Sequence, residues 1–392
     1  MKQKRLAILS THPIQYHSAW YRALASTAGM DLEVLFCHRA TPREQADAGF
    51  GVEFDWDSSL LDGYSHRFLK NTAARQSVST FCGLDTPELT SLLRDEQYDA
   101  VIVNGWHYRS AWQAIWGCWH SGTPVMVRGD SHLHTSRPLM RKTLKWPFYR
   151  WFIPRIDACL AVGLWSREYY LHYGASSERI FIVPHAVDQA IFGANFEEAA
   201  VQRAALRCEW NLNQTAVVYA FVGKFTKVKR PMDFVIGIED AARDGAGIMG
   251  LMVGDGPMRR ECETYVARNQ IPVRLTGFLN QSQIAHAYMA ADALVLPSDC
   301  ETWGVTVNEA MACGLPCFVS DKVGSKPDMI DEDETGASFP VGNRVALKSL
   351  LSTYAANKDR LTQMGERAKL KAREYSVAVA VEGVLRALEV VS

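Results

Sequence analysis

Short apolar runs alternate with helix-like segments along the chain, and this alternation limits its fold more than any other feature. In the first half, residues 6–9, 100–103 and 180–183 have the length and apolar continuity of strands that are buried on both faces. A crossover helix between two strands of one sheet makes those strands parallel. The sequence therefore predicts a doubly wound parallel sheet that is covered by helices on both faces.

The second half repeats this alternation, with apolar runs at residues 217–222, 248–253 and 293–296. A chain of 392 residues is longer than a single hydrophobic core usually supports. We therefore predict an α/β protein with two Rossmann-like, doubly wound parallel-sheet domains. The expected ranges are residues 1–190 for the first domain and residues 191–374 for the second.

The composition of the chain argues against several classes of function. Lys and Arg number 42 against 43 Asp and Glu, so the net charge is −1, which argues against a dedicated nucleic-acid binder. No apolar run has the form of a signal peptide or a membrane span, which predicts a cytoplasmic protein. The nine cysteines are scattered, a distribution typical of reduced thiols rather than of a disulfide framework.

Local signals predict where several helices of the first half begin. Thr86 followed by Pro87 predicts a helix start, with Thr86 as the N-cap. Residues 10–17 are predicted to form a loop, so that His17 precedes the next helix. Pro147 is expected to kink or break any helix that contains it.

Polar side chains follow the predicted strands of the first half at their carboxyl ends, where ligands bind in sheets of this kind. A single loop histidine is usually an ordinary surface residue, but several such clusters in one domain favour a binding site. The candidates are His12, His17, His107, Asp130 and His185.

Basic and glycine-rich stretches follow the first two strands of the second half. Lys224 and Lys229 lie in a cationic loop after a glycine turn and predict an anion site, the alternative being a solvated basic loop. Gly254 and Gly256 follow the next strand, and glycines there let a ligand approach the backbone closely.

Two glutamates surround a predicted helix start near Gly304. Glu301 lies in the loop before the helix, and Glu309 lies inside it. The backbone N–H groups of a helix start favour a negatively charged ligand, whereas carboxylates beside such a ligand need hydroxyl groups to bind. A phosphorylated sugar offers both kinds of group.

Taken in order, these stretches resemble glycosyltransferase family 4, whose members are retaining, nucleotide-sugar-dependent enzymes of the GT-B fold. The resemblance covers nearly all of residues 215–340, and the two glutamates stand eight positions apart, as in that family. The matching motifs are Gly223-Lys224 with Lys229, Gly254-Asp255-Gly256-Pro257, Gly277-Phe278, Glu301-Thr302-Trp303-Gly304 and Glu309-Ala310-Met311-Ala312-Cys313-Gly314-Leu315-Pro316.

The resemblance implies a role for each matching residue. Lys224 and Lys229 would bind the donor diphosphate. Glu309 would hold the ribose hydroxyls of the nucleotide, while Glu301 and His107 would face the transferred sugar. The implied catalytic set is Glu301, His107 and Lys229. The implied donor-binding set is Lys224, Lys229, Gly254, Gly256, Phe278, Gly304, Val305, Thr306 and Glu309.

The resemblance also implies an architecture and a reaction. In the GT-B fold, two Rossmann-like domains face an interdomain cleft, and a helix at residues 375–392 is expected to cross back onto the N-terminal domain. A sugar would pass from a nucleotide diphosphate to an acceptor hydroxyl with retention of anomeric configuration, in bacterial surface polysaccharide or glycolipid assembly. Lysines at the diphosphate imply that no metal or other cofactor is needed. The two Asp-x-Asp triplets, at residues 55–57 and 331–333, are predicted to be surface acids.

The N-terminal half departs from the family in two loops. Its first-strand loop carries His12 and His17 instead of the usual glycine pair, and Pro184-His185-Ala186 replaces the common Pro-Asn-Gly. The candidates for the acceptor side are His12, His17, Asp130 and His185, and the expected acceptor is a sugar or a lipid-linked molecule.

A segment at residues 137–155 alternates basic residues with large aromatic ones. Such a segment can lie in a membrane interface, with its aromatic side chains inserted and its Arg and Lys side chains extending to the headgroups. It can also be a helix whose aromatic face packs into the core and whose basic face is solvated. The first interpretation predicts peripheral contact with the inner face of the membrane.

Two other functions would use the same architecture. A sugar-nucleotide epimerase would bind the donor but need no acceptor. A non-catalytic nucleotide-sugar binding protein would keep the phosphate-binding lysines without needing Glu301. Release of nucleotide only when an acceptor is added would argue against the epimerase, and the presence of Glu301 argues against the binding protein.

Overall fold

The computed structural model describes residues 3–41, 43, 52–57, 59–134, 139–187, 192 and 196–391, with the backbone alone at 139–142 and 196–201. The chain divides into two compact units. The first comprises Met1–Ala40, Ser59–Ala186 and Ser376–Ser392, and the second comprises Thr41–Ser58 and Val187–Tyr375. The predicted domain boundary, between residues 190 and 191, lies outside the described residues.

The first unit contains a seven-stranded sheet in the order β3-β2-β1-β4-β5-β6-β7, in which every neighbouring pair is parallel. Parallel pairing follows from the crossover connections, and it buries the middle strands on both faces. The strands are β1 (Lys4–Ser10), β2 (Met30–Phe36), β3 (Ser65–Phe68), β4 (Ala100–Asn104), β5 (Val125–Gly129), β6 (Ala158–Ala161) and β7 (Ile180–Ile182).

Helices cover both faces of this sheet. One face packs against a cluster that includes Ile115 and Phe152, and the other packs against a cluster that includes Trp20 and Tyr21. The helices are α1 (Gln15–Ala25), α2 (Leu89–Glu96), α3 (Arg109–Ser121), α4 (Leu139–Phe152) and α5 (Leu164–His172).

Two expectations for local structure in this unit were wrong, and of the kink or break expected at Pro147 the break does not occur. His17 lies in the first turn of α1 rather than in a loop, and burial of the helix on the sheet explains the earlier start. The helix expected at Thr86 begins at Leu89 with Glu88 as N-cap, while the Thr86 side chain is buried. Helix α4 is not broken at Pro147, which lies inside it at the loss of one backbone hydrogen bond.

The second unit contains a six-stranded parallel sheet in the order β10-β9-β8-β11-β12-β13. Its strands are β8 (Val217–Val222), β9 (Ile248–Val253), β10 (Val273–Gly277), β11 (Ala293–Leu296), β12 (Cys317–Ser320) and β13 (Gly336–Phe339). Its helices are α6 (Phe196–Glu209), α7 (Pro231–Arg243), α8 (Arg259–Asn269), α9 (Gln281–Ala290), α10 (Val305–Ala312), α11 (Lys326–Met329), α12 (Arg344–Ala355) and α13 (Lys358–Arg373).

Both sheets have the strand order of a Rossmann fold, which confirms the predicted fold class. In each sheet the order reverses between two neighbouring strands, β1 and β4 in the first and β8 and β11 in the second. A crevice forms outside the carboxyl ends of the strands at such a point, and it is the usual ligand site of this fold. The fold therefore predicts one ligand-binding site in each unit.

A final helix, α14 (Val377–Val391), belongs to the first unit although it follows the whole of the second in sequence. It packs against α1, β6 and β7 through Ala380, Val384 and Leu388. Gly383 faces the carbonyl oxygen of Ile182, which leaves no room for a Cβ. Across the residues that the structure describes, no helix is long and apolar enough to cross a membrane.

Candidate functional site

The reversal point of the second sheet brings together two loops, one after β8 and one after β11. The Asp299 N–H donates a 2.7 Å hydrogen bond to the Val228 carbonyl and ties the loops together. The Lys229 ammonium forms an ion pair with Oε1 of Glu301, and Ser298 Oγ donates to the same oxygen over 3.0 Å. Two residues of the predicted site are therefore in direct contact.

Lys224 is half-buried at the end of β8. Burial lowers the pKa of its ammonium group, and the nearby Lys229 lowers it further. An anion close to the Lys224 ammonium favours its charged form and offsets both effects. The loop thus brings two lysine side chains, Lys224 and Lys229, close enough to interact electrostatically.

The N-terminus of α10 adds hydrogen-bond donors to the same region. Gly304 precedes the helix with φ of 97°, a left-handed conformation that favours glycine. In the described structure, Thr306 Oγ1 and Ser325 Oγ are buried without a hydrogen-bond partner, and Ser325 Oγ lies 3.8 Å from where a Gly304 Cβ would be. Buried polar atoms of this kind are usually satisfied by a ligand or by water.

Ser325 was not among the predicted site residues. Its loop, after β12, packs so closely on the loop before α10 that a Cβ at Gly324 would clash with the Thr302 carbonyl. The sequence signal was the Gly324-Ser325 pair after an apolar strand. That signal is weak because most such pairs form ordinary turns.

Glu309 is buried on the second turn of α10. The hydroxyl of Tyr288, from α9, donates a 2.7 Å hydrogen bond to its Oε2. Burial raises the pKa of Glu309 to about 7, and the hydrogen bond and Lys229 oppose this rise. The carboxyl group is thus held in an apolar setting that favours hydroxyl donors as ligands.

The glycines after β9 allow the close packing of two loops. A Cβ at Gly254 would clash with the Gly223 carbonyl, and a Cβ at Gly256 would lie 2.8 Å from the Phe225 nitrogen. Both glycines have positive φ values, 129° and 149°. Because neither glycine has a side chain, the β8 and β9 loops can pack in direct contact.

Phe278 lies just beyond β10 and contacts Phe54, with 4.3 Å between ring centroids. Asp57 lies in the same segment as Phe54. Its carboxylate accepts a 3.0 Å hydrogen bond from the Ser282 N–H at the start of α9. The carboxylate of Asp333, in the other Asp-x-Asp triplet, pairs with Arg360 at 3.3 Å.

The first unit contains a cavity of about 870 Å³ at the reversal point of its own sheet. Part of its wall is polar and comes from the ends of β1, β4 and β5. All five candidates of the first half line this cavity: His12, His17, His107, Asp130 and His185.

Arg128, at the end of β5, organises the polar wall. Its buried guanidinium donates to the carbonyls of Val183 (3.2 Å) and Pro184 (2.9 Å). It also contacts His17 Nε2 at 3.3 Å and His185 Nδ1 at 3.2 Å. Since a guanidinium can only donate, both of these histidine nitrogens accept, and both rings are neutral.

The pKa values agree with neutral rings. Burial lowers the pKa of His17 well below its usual value, and it lowers the pKa of His185 to about 4, with Arg128 adding to both shifts. His185 Nε2 lies 3.8 Å from Asp130 Oδ2. The sequence showed Arg128 beside Asp130, but nothing in it indicated that the arginine is the centre of the cluster.

His12 and His107 complete the polar wall. His12 Nδ1 lies 2.9 Å from Thr11 Oγ1. His107 keeps an exposed face, and desolvation at the wall lowers its pKa while Asp130 opposes the shift. His107 thus belongs to the first unit, whereas Glu301 and Lys229, with which it was grouped, belong to the second.

Two family models together match most of the chain. Residues 18–190 match the model for Glycosyltransferase Family 4, and residues 202–371 match the model for Glycosyl transferases group 1. The boundary between the two matches lies close to the division between the two units.

Curated relatives match over part of their length. One is a D-inositol 3-phosphate glycosyltransferase of Segniliparus rotundus, 28% identical over 223 residues, which are 55% of this chain and 47% of the relative. The chain spans about half or less of the length of the curated relatives it matches.

Solved structures match over nearly the whole chain. A glycosyltransferase from Rickettsia africae has a TM-score of 0.75 at 14% identity, covering 100% of this chain and 99% of its own. Anabaena HepE, solved with UDP and glucose, has a TM-score of 0.70 at 14% identity, covering 98% and 99%. At this identity the likeness establishes the fold, the two Rossmann-like domains of the GT-B architecture.

Proposed function

Because the chain belongs to glycosyltransferase family 4, we propose that it transfers a sugar from a nucleotide diphosphate to an acceptor hydroxyl, with retention of anomeric configuration. The observation that carries this proposal is the convergence of Lys224, Lys229 and Glu301 with the N-terminus of α10 at the reversal point of the second sheet. Cations and a helix start suit a diphosphate, and the carboxylate suits sugar hydroxyls.

In this proposal the lysines and the helix start stabilise the charge that develops on the departing diphosphate. A fixed cation does this without reorganising at the moment of reaction, and the effect is large in a partly buried site. Lys224 and Lys229 supply this charge, so we propose that the reaction needs no metal ion. Full activity after treatment with a chelator is the expected result.

In this proposal Glu309 binds the nucleotide and Glu301 binds the transferred sugar. Glu309 accepts hydrogen bonds from the two ribose hydroxyls, which favour its ionised form. Glu301 is oriented by Lys229 and Ser298 toward the sugar. We also propose that His107, whose pKa is lowered by desolvation, contacts the transferred sugar as a neutral ring.

The acceptor occupies the cavity of the first unit. Its polar wall offers His12, His17, Asp130 and His185 to the hydroxyl groups of the acceptor. The acceptor hydroxyl attacks from the face that the diphosphate leaves, and an oxygen of the leaving phosphate takes its proton. The bond to the phosphate oxygen breaks as the new glycosidic bond forms, so retention needs no covalent enzyme intermediate. The setting we propose is bacterial surface polysaccharide or glycolipid assembly.

A thermal-shift screen of UDP, GDP and ADP sugars tests the donor assignment. A true donor raises the melting temperature because it binds only the folded chain. The Glu309→Ala variant should lose this response, and Lys227→Ala, an exposed cation of the same loop, should keep it. An equal response in wild type and Glu309→Ala would contradict the site.

A second experiment distinguishes transfer from its rivals. With the identified donor, we expect nucleotide release to rise when extracts containing acceptors are added. An epimerase would interconvert the donor sugar without an acceptor, and a binding protein would release no nucleotide in either case.

A further inference from the structure

The cavity of the first unit has a second wall that the proposed chemistry does not use. This wall is aromatic and comes from α3 and α4, with Trp112, Trp116, Phe148 and Trp151 as its main members. Ring centroids are 5.2 Å apart for Trp112 and Phe148, 6.0 Å for Phe148 and Trp151, and 6.4 Å for Trp116 and Trp151. The rings therefore form one continuous apolar surface.

The aromatic wall opens to solvent. Trp116, Phe148 and Trp151 line the cavity and yet have relative exposures of 45%, 43% and 37%. Large aromatic side chains that are exposed in a contiguous patch usually mark an interaction site. The wall thus leads from the polar residues of the cavity to the surface of the molecule.

Outside the cavity lining, α4 carries two more exposed apolar side chains. Leu144 is 73% exposed and Trp146 is 48% exposed, and neither lines the cavity. A stack of sugar rings would explain aromatic residues inside the cavity, but it would not explain an exposed Leu and Trp on the same helix that do not line it. An apolar chain that leaves the cavity and enters a lipid layer explains both.

The surroundings of this surface are cationic. Arg150 lies over the Trp146 ring at 5.8 Å, and Arg155 lies over the Trp151 ring at 5.0 Å. Lys145 lines the cavity beside them, and residues 139–155 contain no Asp or Glu. Aromatic side chains framed by cations match an interface with anionic lipid headgroups.

The volume of the cavity agrees with an amphiphile. At about 870 Å³, it is near the upper end for sites that enclose a drug-sized ligand, and larger than one sugar ring requires. The polar wall suits a hydroxyl-bearing head, and the aromatic wall suits the first part of an apolar chain.

We infer that the acceptor is a lipid anchored in an anionic bilayer, with its head among the polar residues of the cavity and its chain along the aromatic wall. The exposed side chains of Leu144 and Trp146 lie in the headgroup region of that bilayer. This inference rests on the proposed glycosyl transfer and names the class of its acceptor.

Vesicle co-sedimentation tests the bilayer contact with the full chain. Wild type should bind vesicles of phosphatidylcholine mixed with phosphatidylglycerol, and should bind pure phosphatidylcholine vesicles less. The double variant Leu144→Ser/Trp146→Ser should bind the mixed vesicles about tenfold less. The matched control, Val345→Ser/Leu370→Ser, removes two exposed apolar side chains from the second unit and should bind as wild type. Equal binding by both variants would overturn the contact.

Alkyl glucosides test the cavity, with tryptophan fluorescence as the readout. Affinity should rise from hexyl to octyl to decyl glucoside at concentrations below micelle formation, by up to roughly tenfold for each added pair of methylene groups. The Phe148→Ser variant should show a weaker dependence on chain length. The dependence of wild-type affinity on chain length tests the cavity even if the Phe148→Ser variant does not fold.

The outcomes separate this inference from the function on which it rests. Affinity that is independent of chain length, together with transfer to free sugars, would overturn the lipid acceptor and leave glycosyl transfer in place. A chain that binds alkyl glucosides but shows no response to any nucleotide sugar would contradict the proposed transfer itself.

Discussion

The hydroxyl of Tyr288 donates a 2.7 Å hydrogen bond to Oε2 of Glu309, and both side chains are buried. The bond joins α9 to α10 and fixes the orientation of the carboxyl group. Burial raises the pKa of that group to about 7 in spite of the bond. Ionising this carboxyl group therefore costs free energy unless a ligand donates hydrogen bonds to it.

The first prediction is that Glu309→Gln stabilises the chain and weakens donor binding. Glu309 keeps its proton up to about pH 7 when folded, whereas an unfolded Glu loses it near 4.5. The folded state therefore binds more protons between these values, and stability falls as pH rises through that window. Above it the penalty is roughly 3 kcal/mol.

Glutamine removes this penalty and keeps an acceptor for Tyr288. We expect a higher midpoint of urea unfolding at pH 8 for Glu309→Gln, little difference at pH 4.5, and nucleotide binding that is roughly 10- to 100-fold weaker at pH 8. Wild-type donor binding should weaken as pH falls from 7 to 5, and that of the variant should not. A variant less stable than wild type at pH 8 would show that the carboxyl group is not desolvated.

The second prediction is that Lys229→Ala lowers the rate of transfer by about 100-fold or more, because it removes a fixed cation from the diphosphate. It also leaves Glu301 without the ammonium that orients it. The rate is measured as nucleotide released in the presence of acceptor.

Lys227→Ala is the matched control for this change. Lys227 lies on the same turn of 3-10 helix but is exposed, so its loss should alter the rate little. Equal losses in the two variants would indicate a general effect of loop charge, and unchanged activity in Lys229→Ala would remove the residue from the site.

The third prediction is that Gly254→Ala destabilises the second unit and weakens nucleotide binding. A Cβ there would clash with the carbonyl oxygen of Gly223, and the φ of 129° is unfavourable for alanine. The melting temperature is the measurement. Gly247→Ala, where no atom lies within 4 Å of the new Cβ, should leave it nearly unchanged or raise it slightly.

The fourth prediction concerns acid sensitivity of the first unit. His185 stays neutral down to about pH 4 in the folded chain, while an unfolded His takes up a proton near 6.5. The unfolded state thus binds more protons between these values, so stability is lost as pH falls through the window, by roughly 3 kcal/mol.

His185→Asn tests this dependence. The Asn side chain can still accept a hydrogen bond from Arg128 but has no proton to take up, so its stability should fall less between pH 6.5 and 4. Urea unfolding followed by tryptophan fluorescence gives the comparison. Parallel pH profiles for the two proteins would assign the acid sensitivity to other groups, such as His17, whose pKa is also lowered by burial.

Much of the fold follows from the sequence because central parallel strands are buried on both faces. The runs predicted at 217–222, 248–253 and 293–296 coincide with β8, β9 and β11. Strand β3 was missed because its residues, Ser65–Phe68, lie at the sheet edge and are mostly exposed, so they need no apolar run.

The candidate site was less complete in the sequence than the fold. Lys229 and Glu301 could be named because motifs carry them, and the structure places them in contact. Tyr288 is bonded to Glu309, which is distant in sequence, and the Ser325 hydroxyl is buried by packing. Arg128 is recognised only through the histidines it contacts. Their contributions depend on packing, which a local pattern does not contain.

Helix α14 makes the first unit depend on residues that the ribosome adds after the entire second unit. Domains usually fold in the order of their synthesis. Here the second sheet can be complete on the nascent chain while the first still lacks the helix that covers α1, β6 and β7. The apolar surface that α14 will cover stays exposed through that interval, so we expect the N-terminal unit, although made first, to be completed last.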